Sequence, residues 1–410
     1  MPLSKLASSI PASPTLALND EARRLRENGE PVVNLGIGEP ANAAPPAAIQ
    51  SASDQLKTGK VKYSPAGGIP ALKDAIIRYT KANYGRTVGR KNIVVTQGAK
   101  LAIFNVLYTL CNPGDEVIIF APYWVSYPEI IKMVNAVPVI VKTGDKDFLP
   151  EVSEIGRVVN SRTKAIIVNS PNNPSGAVYP SGLIEELVKL CEKRGIYLLC
   201  DDIYHKLVFD DCVAVPAYQL SKKGIEETRI IVINGVAKLY GMTGFRIGWT
   251  VSSQEIAEVI TNIQAQTITC VSPVTQAAAQ AALDGDQSVV EDLRLDIQHN
   301  RDVLMDEIGS FSKVRCARPK GTFYALIDFR DCFQETGIRS SVELASFLLK
   351  KVLVVTVPGD EFGTPGYLRI SYAGATEDVL DGIRRIIWAL DPAAPRELKI
   401  GTKTVVKDWL

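Results

Sequence analysis

An alternation of short apolar runs with helix-patterned stretches restricts the fold of this chain more than any other feature. Asn92-Ile93-Val94-Val95-Thr96 and Glu116-Val117-Ile118-Ile119-Phe120 read as strands, with helical patterns over 100–110 and 127–134. Val139-Ile140-Val141, Ala165-Ile166-Ile167-Val168, Tyr197-Leu198-Leu199-Cys200 and Ile230-Ile231-Val232-Ile233 continue the series, and an amphipathic helix over 183–193 falls between two of them. Runs this apolar suit strands covered on both faces, and helical connections place such strands parallel. An α/β fold with a mostly parallel central sheet flanked by helices is expected, with ligands at the carboxyl ends of the strands.

After about residue 285 the pattern changes to a long charged helix over 289–307, then to strand-like runs with helices over 341–351 and 377–390. This predicts a smaller α+β domain. The N-terminal part holds a Pro- and Ser-rich entry, a charged helix over 20–28 and the turn-rich Gly36-Ile37-Gly38-Glu39-Pro40, and is expected to cross over to the C-terminal part. The expected division is a large domain over 46–288 and a small one from 1–45 with 289–410. Residues 392–410 are polar and read as a loosely ordered tail.

Composition removes several function classes. Lys plus Arg number 46 against 45 Asp plus Glu, which leaves no electrostatic footprint for nucleic acid or an anionic membrane. No apolar run approaches a membrane span, and Met1-Pro2-Leu3-Ser4-Lys5-Leu6 lacks the apolar stretch of a secretory signal, so a cytoplasmic protein is expected. The seven cysteines contain no Cys-x-x-Cys pair, and no histidine stands at metal-ligand spacing, so no metal site is expected. Only His205 and His299 are present and there is no Gly-x-Ser-x-Gly elbow, which argues against a hydrolase triad. No Gly-x-Gly-x-x-Gly follows a strand, which argues against a dinucleotide-binding dehydrogenase.

The segment from Asn234 to Gly248 sets Lys238 among small residues, eight positions before Arg246. A lysine amine attacks a carbonyl only when deprotonated, and burial or a neighbouring cation makes that form available near neutral pH. Lys238 is the candidate nucleophile. Four further segments would suit a cofactor with a phosphate, a pyridine nitrogen and a phenolic oxygen. Thr96-Gln97-Gly98-Ala99-Lys100 follows a strand and opens a helix, so its backbone N–H groups can hold a phosphate, with Arg246 as the fixed cation. Asp201 ends an apolar strand, where a carboxylate can keep a pyridine nitrogen protonated. Tyr204, and Asn173 from Ser170-Pro171-Asn172-Asn173-Pro174, can reach a phenolic oxygen, and Trp124 can stack on a ring. Each residue has an ordinary alternative: a helix N-cap for Asp201, an Asn-Pro turn for Asn173, a core aromatic for Trp124 and a plain β-to-α turn for Gly98.

In this order the segments resemble the class I and II aminotransferases of the fold-type I pyridoxal phosphate enzymes, closest to the bacterial aspartate/prephenate aminotransferase branch. The resemblance covers residues 16–390. It implies that Lys238 carries pyridoxal 5'-phosphate and shuttles the substrate Cα proton, that Asp201 pairs the pyridine nitrogen, and that Tyr204 and Asn173 hold the phenolic oxygen. Gly98, Ala99, Lys100 and Arg246 would meet the phosphate, and Trp124 would stack on the ring. Tyr63, in Tyr63-Ser64-Pro65-Ala66-Gly67-Gly68, matches a tyrosine that reaches the phosphate of the neighbouring subunit, which implies a homodimer. Arg369, in Tyr367-Leu368-Arg369-Ile370-Ser371, would fork onto the substrate α-carboxylate, with Gly38 in the N-terminal substrate loop. Lys100 matches a lysine that helps recognise a distal carboxylate in aspartate-using members, and a solvated first-turn lysine is its alternative reading.

Three departures from the family pattern stand out. Ala237 replaces the usual serine before the lysine. Gly38-Glu39-Pro40 is followed by Ala41-Asn42-Ala43-Ala44 rather than aspartate, and Pro11 stands where prephenate-using members carry a basic residue. Beyond these three, Cys270 stands where many relatives have asparagine near the partner-subunit side of the site. The leading expectation is transfer of an amino group from an L-amino acid, with a tilt towards an acidic donor, to a 2-oxo acid. A β-lyase or an oxidative amino-acid-modifying enzyme on the same cofactor is the first alternative, and a non-catalytic regulatory module is the second.

Overall fold

The computed structural model describes residues 3–10, 14–144 and 147–409 of the 410-residue chain. A seven-stranded sheet forms from β1 (Ile93–Thr96), β2 (Glu116–Ala121), β3 (Val137–Lys142), β4 (Thr163–Val168), β5 (Tyr197–Asp201), β6 (Ile230–Gly235) and β7 (Gly248–Val251). Their spatial order is β1-β7-β6-β5-β4-β2-β3. Pairings among β2 to β6 are parallel, whereas β7 runs antiparallel to both β1 and β6.

Both faces of the sheet are buried, and successive residues divide between them. Val117 and Ile119 face the layer containing Ala102, Ile103 and Val106 of the helix Ala99–Leu110. Ile118 and Phe120 face the layer containing Leu187, Val188 and Cys191 of the helix Ser181–Arg194. That two-sided burial is why these strands read as continuous apolar runs.

β7 lies outside the sequence-based reading, because Gly248-Trp249-Thr250-Val251 directly continues the Lys238 motif. Gly248 permits its position. A Cβ there would lie 2.5 Å from the Ala99 nitrogen, so only glycine lets β7 begin against the opening of the helix Ala99–Leu110. Being antiparallel, β7 starts at the rim where the parallel strands end, and this delivers Arg246 to the same rim.

A second, antiparallel sheet has Tyr367–Ser371 and Tyr324–Asp328 at its centre, with Val357–Pro358 and Arg315–Cys316 at the edges. The helices Ser288–Gly309, Ser341–Val352 and Thr376–Leu390 accompany it. The N-terminal segment joins this part of the molecule, since Val33–Asn34 pairs in parallel with Val354–Val355. Gly382 allows that approach, because a Cβ there would lie 2.6 Å from a Leu35 methyl. The chain then runs directly into Gly36 and Gly38.

The expectation of a loosely ordered C-terminal tail is corrected. Glu397–Ile400 and Lys403–Val406 form an antiparallel hairpin, and Trp409 sets its ring edge against Phe347 and Trp388. The Trp409 indole N–H also donates to the Ala389 carbonyl at 3.0 Å. A few apolar residues among polar ones suffice to anchor it, which overall polarity did not reveal. Among the described residues no helix is long and apolar enough to cross a membrane. Pro11 lies outside the described residues.

Candidate active site

A cleft of about 380 Å³ opens at the carboxyl ends of the parallel strands. It is lined by Gly38, Ala99, Lys100, Trp124, Asn173, Asp201, Tyr204, Lys238, Arg246 and Arg369, bringing together residues from seven separate segments of the chain. Gly98 sits immediately behind this lining. Tyr63 is not in the cleft and is 87% exposed.

Asp201 is the last residue of β5 and is buried. One carboxylate oxygen, Oδ2, accepts a 2.7 Å hydrogen bond from the Tyr127 hydroxyl, while the buried Oδ1 has no partner. Burial pushes this carboxyl up to about 6, opposed by the Tyr127 hydrogen bond, the Ile203 N–H and the charge of Lys238. A buried, half-satisfied carboxylate is costly unless a donor completes it, so Oδ1 is an open acceptor aimed at a cationic or N–H-bearing ligand.

Lys238 follows β6 and donates from Nζ to the Gly38 carbonyl at 2.6 Å. Burial lowers its pKa to about 8; Glu39 and Asp201 oppose the shift, and Arg369 and Arg246 reinforce it. A fraction of the amine is thus free near neutral pH, as imine formation with an aldehyde requires.

Two groups of donors that could hold anions line the same cleft as the lysine. At one end the helix Ala99–Leu110 opens without a side-chain cap, leaving first-turn N–H groups for a ligand. Gly98 precedes it at φ 82° and ψ 162°, and a Cβ there would meet Arg246 Nη2 at 2.6 Å. Arg246 itself takes a left-handed φ of 54° and is held by the Thr243 carbonyl at 2.9 Å. At the other end Arg369 is buried, donating to Asn173 Oδ1 at 3.2 Å and to the Gly36 carbonyl at 2.8 Å. Its Nε has no partner. The guanidinium lies 4.4 Å from the Tyr324 ring centroid and 5.2 Å from that of Phe362, so aromatic faces hold it flat for a carboxylate.

Trp124 stands between these sites, its ring edge-on to Tyr127 with centroids 5.3 Å apart. The Lys100 ammonium sits 4.9 Å from the Trp124 centroid and has no carboxylate partner among the described residues. Tyr204 is buried, 3.4 Å from the Tyr324 hydroxyl. Asn173 is held from the β4 side, its N–H donating to Asn169 Oδ1 at 2.8 Å.

Tyr127, Asn169, Thr243 and Tyr324 also line the cleft and are absent from the sequence-based reading. Tyr127 is legible only as the start of a helix, and Tyr324 reaches in from the second sheet with no motif around it. Ala237 lines the cleft and offers no hydroxyl, while Cys270 accepts from the Ser64 N–H at 3.4 Å, beside Tyr63.

The arrangement can hold a phosphate at one end and a carboxylate at the other, with a nucleophilic amine and an open carboxylate oxygen between them. The family profile for aminotransferase class I and II matches residues 30–387. The chain is 37% identical to an aspartate aminotransferase of Streptomyces avermitilis, over 95% of this chain and 97% of that protein. It is 36% identical to a probable aspartate/prephenate aminotransferase of Aquifex aeolicus, over 95% and 98% respectively. A solved aspartate aminotransferase from Thermus thermophilus with maleate superposes with a TM-score of 0.87 at 34% identity, covering 94% of this chain and 98% of that one. These relatives are transferases of amino groups and do not favour the β-lyase or oxidative reading. The chain belongs to the class I and II aminotransferases.

Proposed function

We propose that this aminotransferase works with pyridoxal 5'-phosphate and takes the amino group of an acidic L-amino acid, aspartate first, for a 2-oxo acid. One observation carries the cofactor assignment: the buried, unpartnered Asp201 Oδ1 shares a cleft with the amine of Lys238, whose pKa is depressed. When bound, the cofactor supplies an aldehyde for the amino group and a protonated pyridine ring that withdraws electrons from the substrate Cα. The residues present fit its groups. Asp201 would hold the proton on the ring nitrogen, Tyr204 and Asn173 the phenolic oxygen, and Trp124 the ring face. The N–H groups of Ala99 and Lys100 would hold the phosphate together with the Arg246 guanidinium, while Gly98, whose own N–H donates to the Thr96 carbonyl at 2.8 Å, would make room for that guanidinium by lacking a Cβ.

Lys238 Nζ would attach the cofactor through its aldehyde and, as a free amine, would take the proton from the substrate Cα. Arg369 binds the substrate α-carboxylate, its Nε being a donor without a partner. Gly38 borders the substrate space through its backbone, its carbonyl accepting from Lys238. Ala237 offers no hydroxyl to the phosphate, so Arg246 and the backbone donors carry that load.

The acidic preference rests on Lys100, whose ammonium lies over Trp124 without a carboxylate partner among the described residues. The Thermus thermophilus relative with maleate, a dicarboxylate, supports the same reading. The reading assigns Tyr63 to the phosphate of a second copy in a homodimer, and its exposure outside its own cleft supports this. The reading includes a cytoplasmic location, and a large domain over 46–288 with a small one from 1–45 and 289–410, each built on its own sheet.

Two measurements test it. Borohydride reduction of the cofactor-loaded protein followed by peptide mass mapping is expected to place the label on Lys238; equal labelling of a Lys238→Ala variant would sink the cofactor assignment. Initial rates over a panel of amino donors are expected to favour aspartate and glutamate, and Lys100→Met to raise KM for these by about tenfold or more. An unchanged ratio of acidic to neutral donors in that variant would remove the acidic preference.

A further inference from the structure

We propose that Tyr127 is the positioning residue for Asp201, keeping its carboxylate ionised and turned so that Oδ1 faces the cofactor ring nitrogen, an inference that rests on the cofactor reading above. Tyr127 lies in the first turn of the helix Ser126–Met133 and is 3% exposed. Its hydroxyl donates to Asp201 Oδ2 at 2.7 Å. With Oδ2 engaged, the carboxylate cannot turn without breaking a buried, charge-assisted hydrogen bond, so the unpartnered Oδ1 stays presented. The same side chain supports the aromatic wall of the cleft. Its ring meets Trp124 at 84° with centroids 5.3 Å apart, and its N–H donates to the Trp124 carbonyl at 2.9 Å. One residue therefore ties the ring-stacking group to the ring-nitrogen partner.

The electrostatic surroundings show why the hydroxyl is needed. Burial favours the neutral carboxyl of Asp201, and the hydrogen bond from Tyr127 is the largest effect opposing it, ahead of the Ile203 N–H and the Lys238 ammonium. Asp202 from the following position, the Tyr204 phenol and the Cys200 thiol also interact with Asp201, and none of them stabilises its charge by donating to it. Without the Tyr127 hydroxyl the carboxyl moves further towards its neutral form, which cannot pair a protonated ring nitrogen as an ion.

The test compares binding of pyridoxal phosphate with that of its 1-deaza analogue, in which carbon replaces the ring nitrogen. Equilibrium dialysis against the apoprotein covers pH values on both sides of neutrality for the wild type, Tyr127→Phe, Asp201→Asn and the double variant. The wild type is expected to bind pyridoxal phosphate at least about tenfold more tightly than the analogue. Tyr127→Phe is expected to lose about tenfold in affinity for pyridoxal phosphate at neutral pH and to shift the acid limb of its binding up by about one pH unit. Its affinity for the analogue stays within about twofold of the wild type, and it adds nothing further in the Asp201→Asn background. Equal losses for both ligands, or an unmoved acid limb, overturn the role of Tyr127. A wild type with no preference between the ligands overturns the pairing of Asp201 with the ring nitrogen, and the inference falls with it.

Discussion

Lys238 Nζ donates to the backbone oxygen of Gly38 across 2.6 Å, joining residues 200 positions apart in the chain. The bond connects the end of β6 to the N-terminal segment that pairs with Val354–Val355, so the Lys238 amine and the Gly38 loop are positioned against each other.

The amine's depressed pKa sets the pH dependence of cofactor attachment. At a pKa of about 8, about one-tenth of Lys238 is free amine at pH 7, against under about one in a thousand for an ordinary lysine. The second-order rate of cofactor attachment to the apoprotein, trapped by borohydride, is expected to rise with pH and level off above about 8. A rate still climbing steeply well beyond that value would show that burial does not depress the amine.

Asp202 makes the opposite kind of prediction. Burial raises its carboxyl from 3.8 to about 7, partly opposed by the Tyr84 hydroxyl and reinforced by Asp201. Between those two values the folded protein holds a proton that the unfolded chain has released, so stability falls as pH rises through the window. Asp202→Asn keeps an acceptor for Tyr84 and removes the penalty. The variant is expected to match the wild type near the low end and to exceed it by about 1–3 kcal/mol above the high end in urea unfolding. A gain that does not vary with pH would mean that Asp202 is ionised throughout.

Gly98 is predicted to be irreplaceable for cofactor binding. Its φ of 82° with ψ of 162° lies where only glycine is comfortable, and the added methyl would meet Arg246 Nη2 at 2.6 Å. Gly98→Ala is expected to cost about 1–3 kcal/mol and to weaken phosphate-bearing ligands by at least about tenfold, as read by dialysis of pyridoxal phosphate. Retained affinity would place the phosphate elsewhere.

The C-terminal hairpin is predicted to stabilise the fold. Trp409 bridges the helices Ser341–Val352 and Thr376–Leu390 through Phe347 and Trp388, and the Lys403 ammonium meets the Glu30 carboxylate near the N-terminal segment. Trp409→Ala is expected to lower stability by about 1–3 kcal/mol while leaving cofactor affinity unchanged. An unaltered midpoint in urea would make the hairpin an ornament.

The sheet was legible because two-sided burial writes strands as unbroken apolar runs, and cleft-lining residues at strand ends were legible for the same reason: Asp201 directly follows Leu199 and Cys200. β7 was hidden by its glycine start, which serves a close backbone approach rather than a strand preference. Tyr127 and Tyr324 were hidden because their parts depend on which distant atom a hydroxyl or ring meets, and no local spacing encodes that. The hairpin was masked by polarity, its anchoring resting on a few apolar residues, Leu398, Ile400, Val405 and Trp409, spaced among polar ones.

The most direct measurement is a single turnover of the cofactor-loaded protein with aspartate and no oxo acid, following oxaloacetate, ammonia and the cofactor's visible absorbance together. One oxaloacetate per active site is expected, with loss of the visible band, no ammonia, and none of these changes in Lys238→Ala. Continuous release of ammonia or pyruvate with the visible band restored would contradict this expectation.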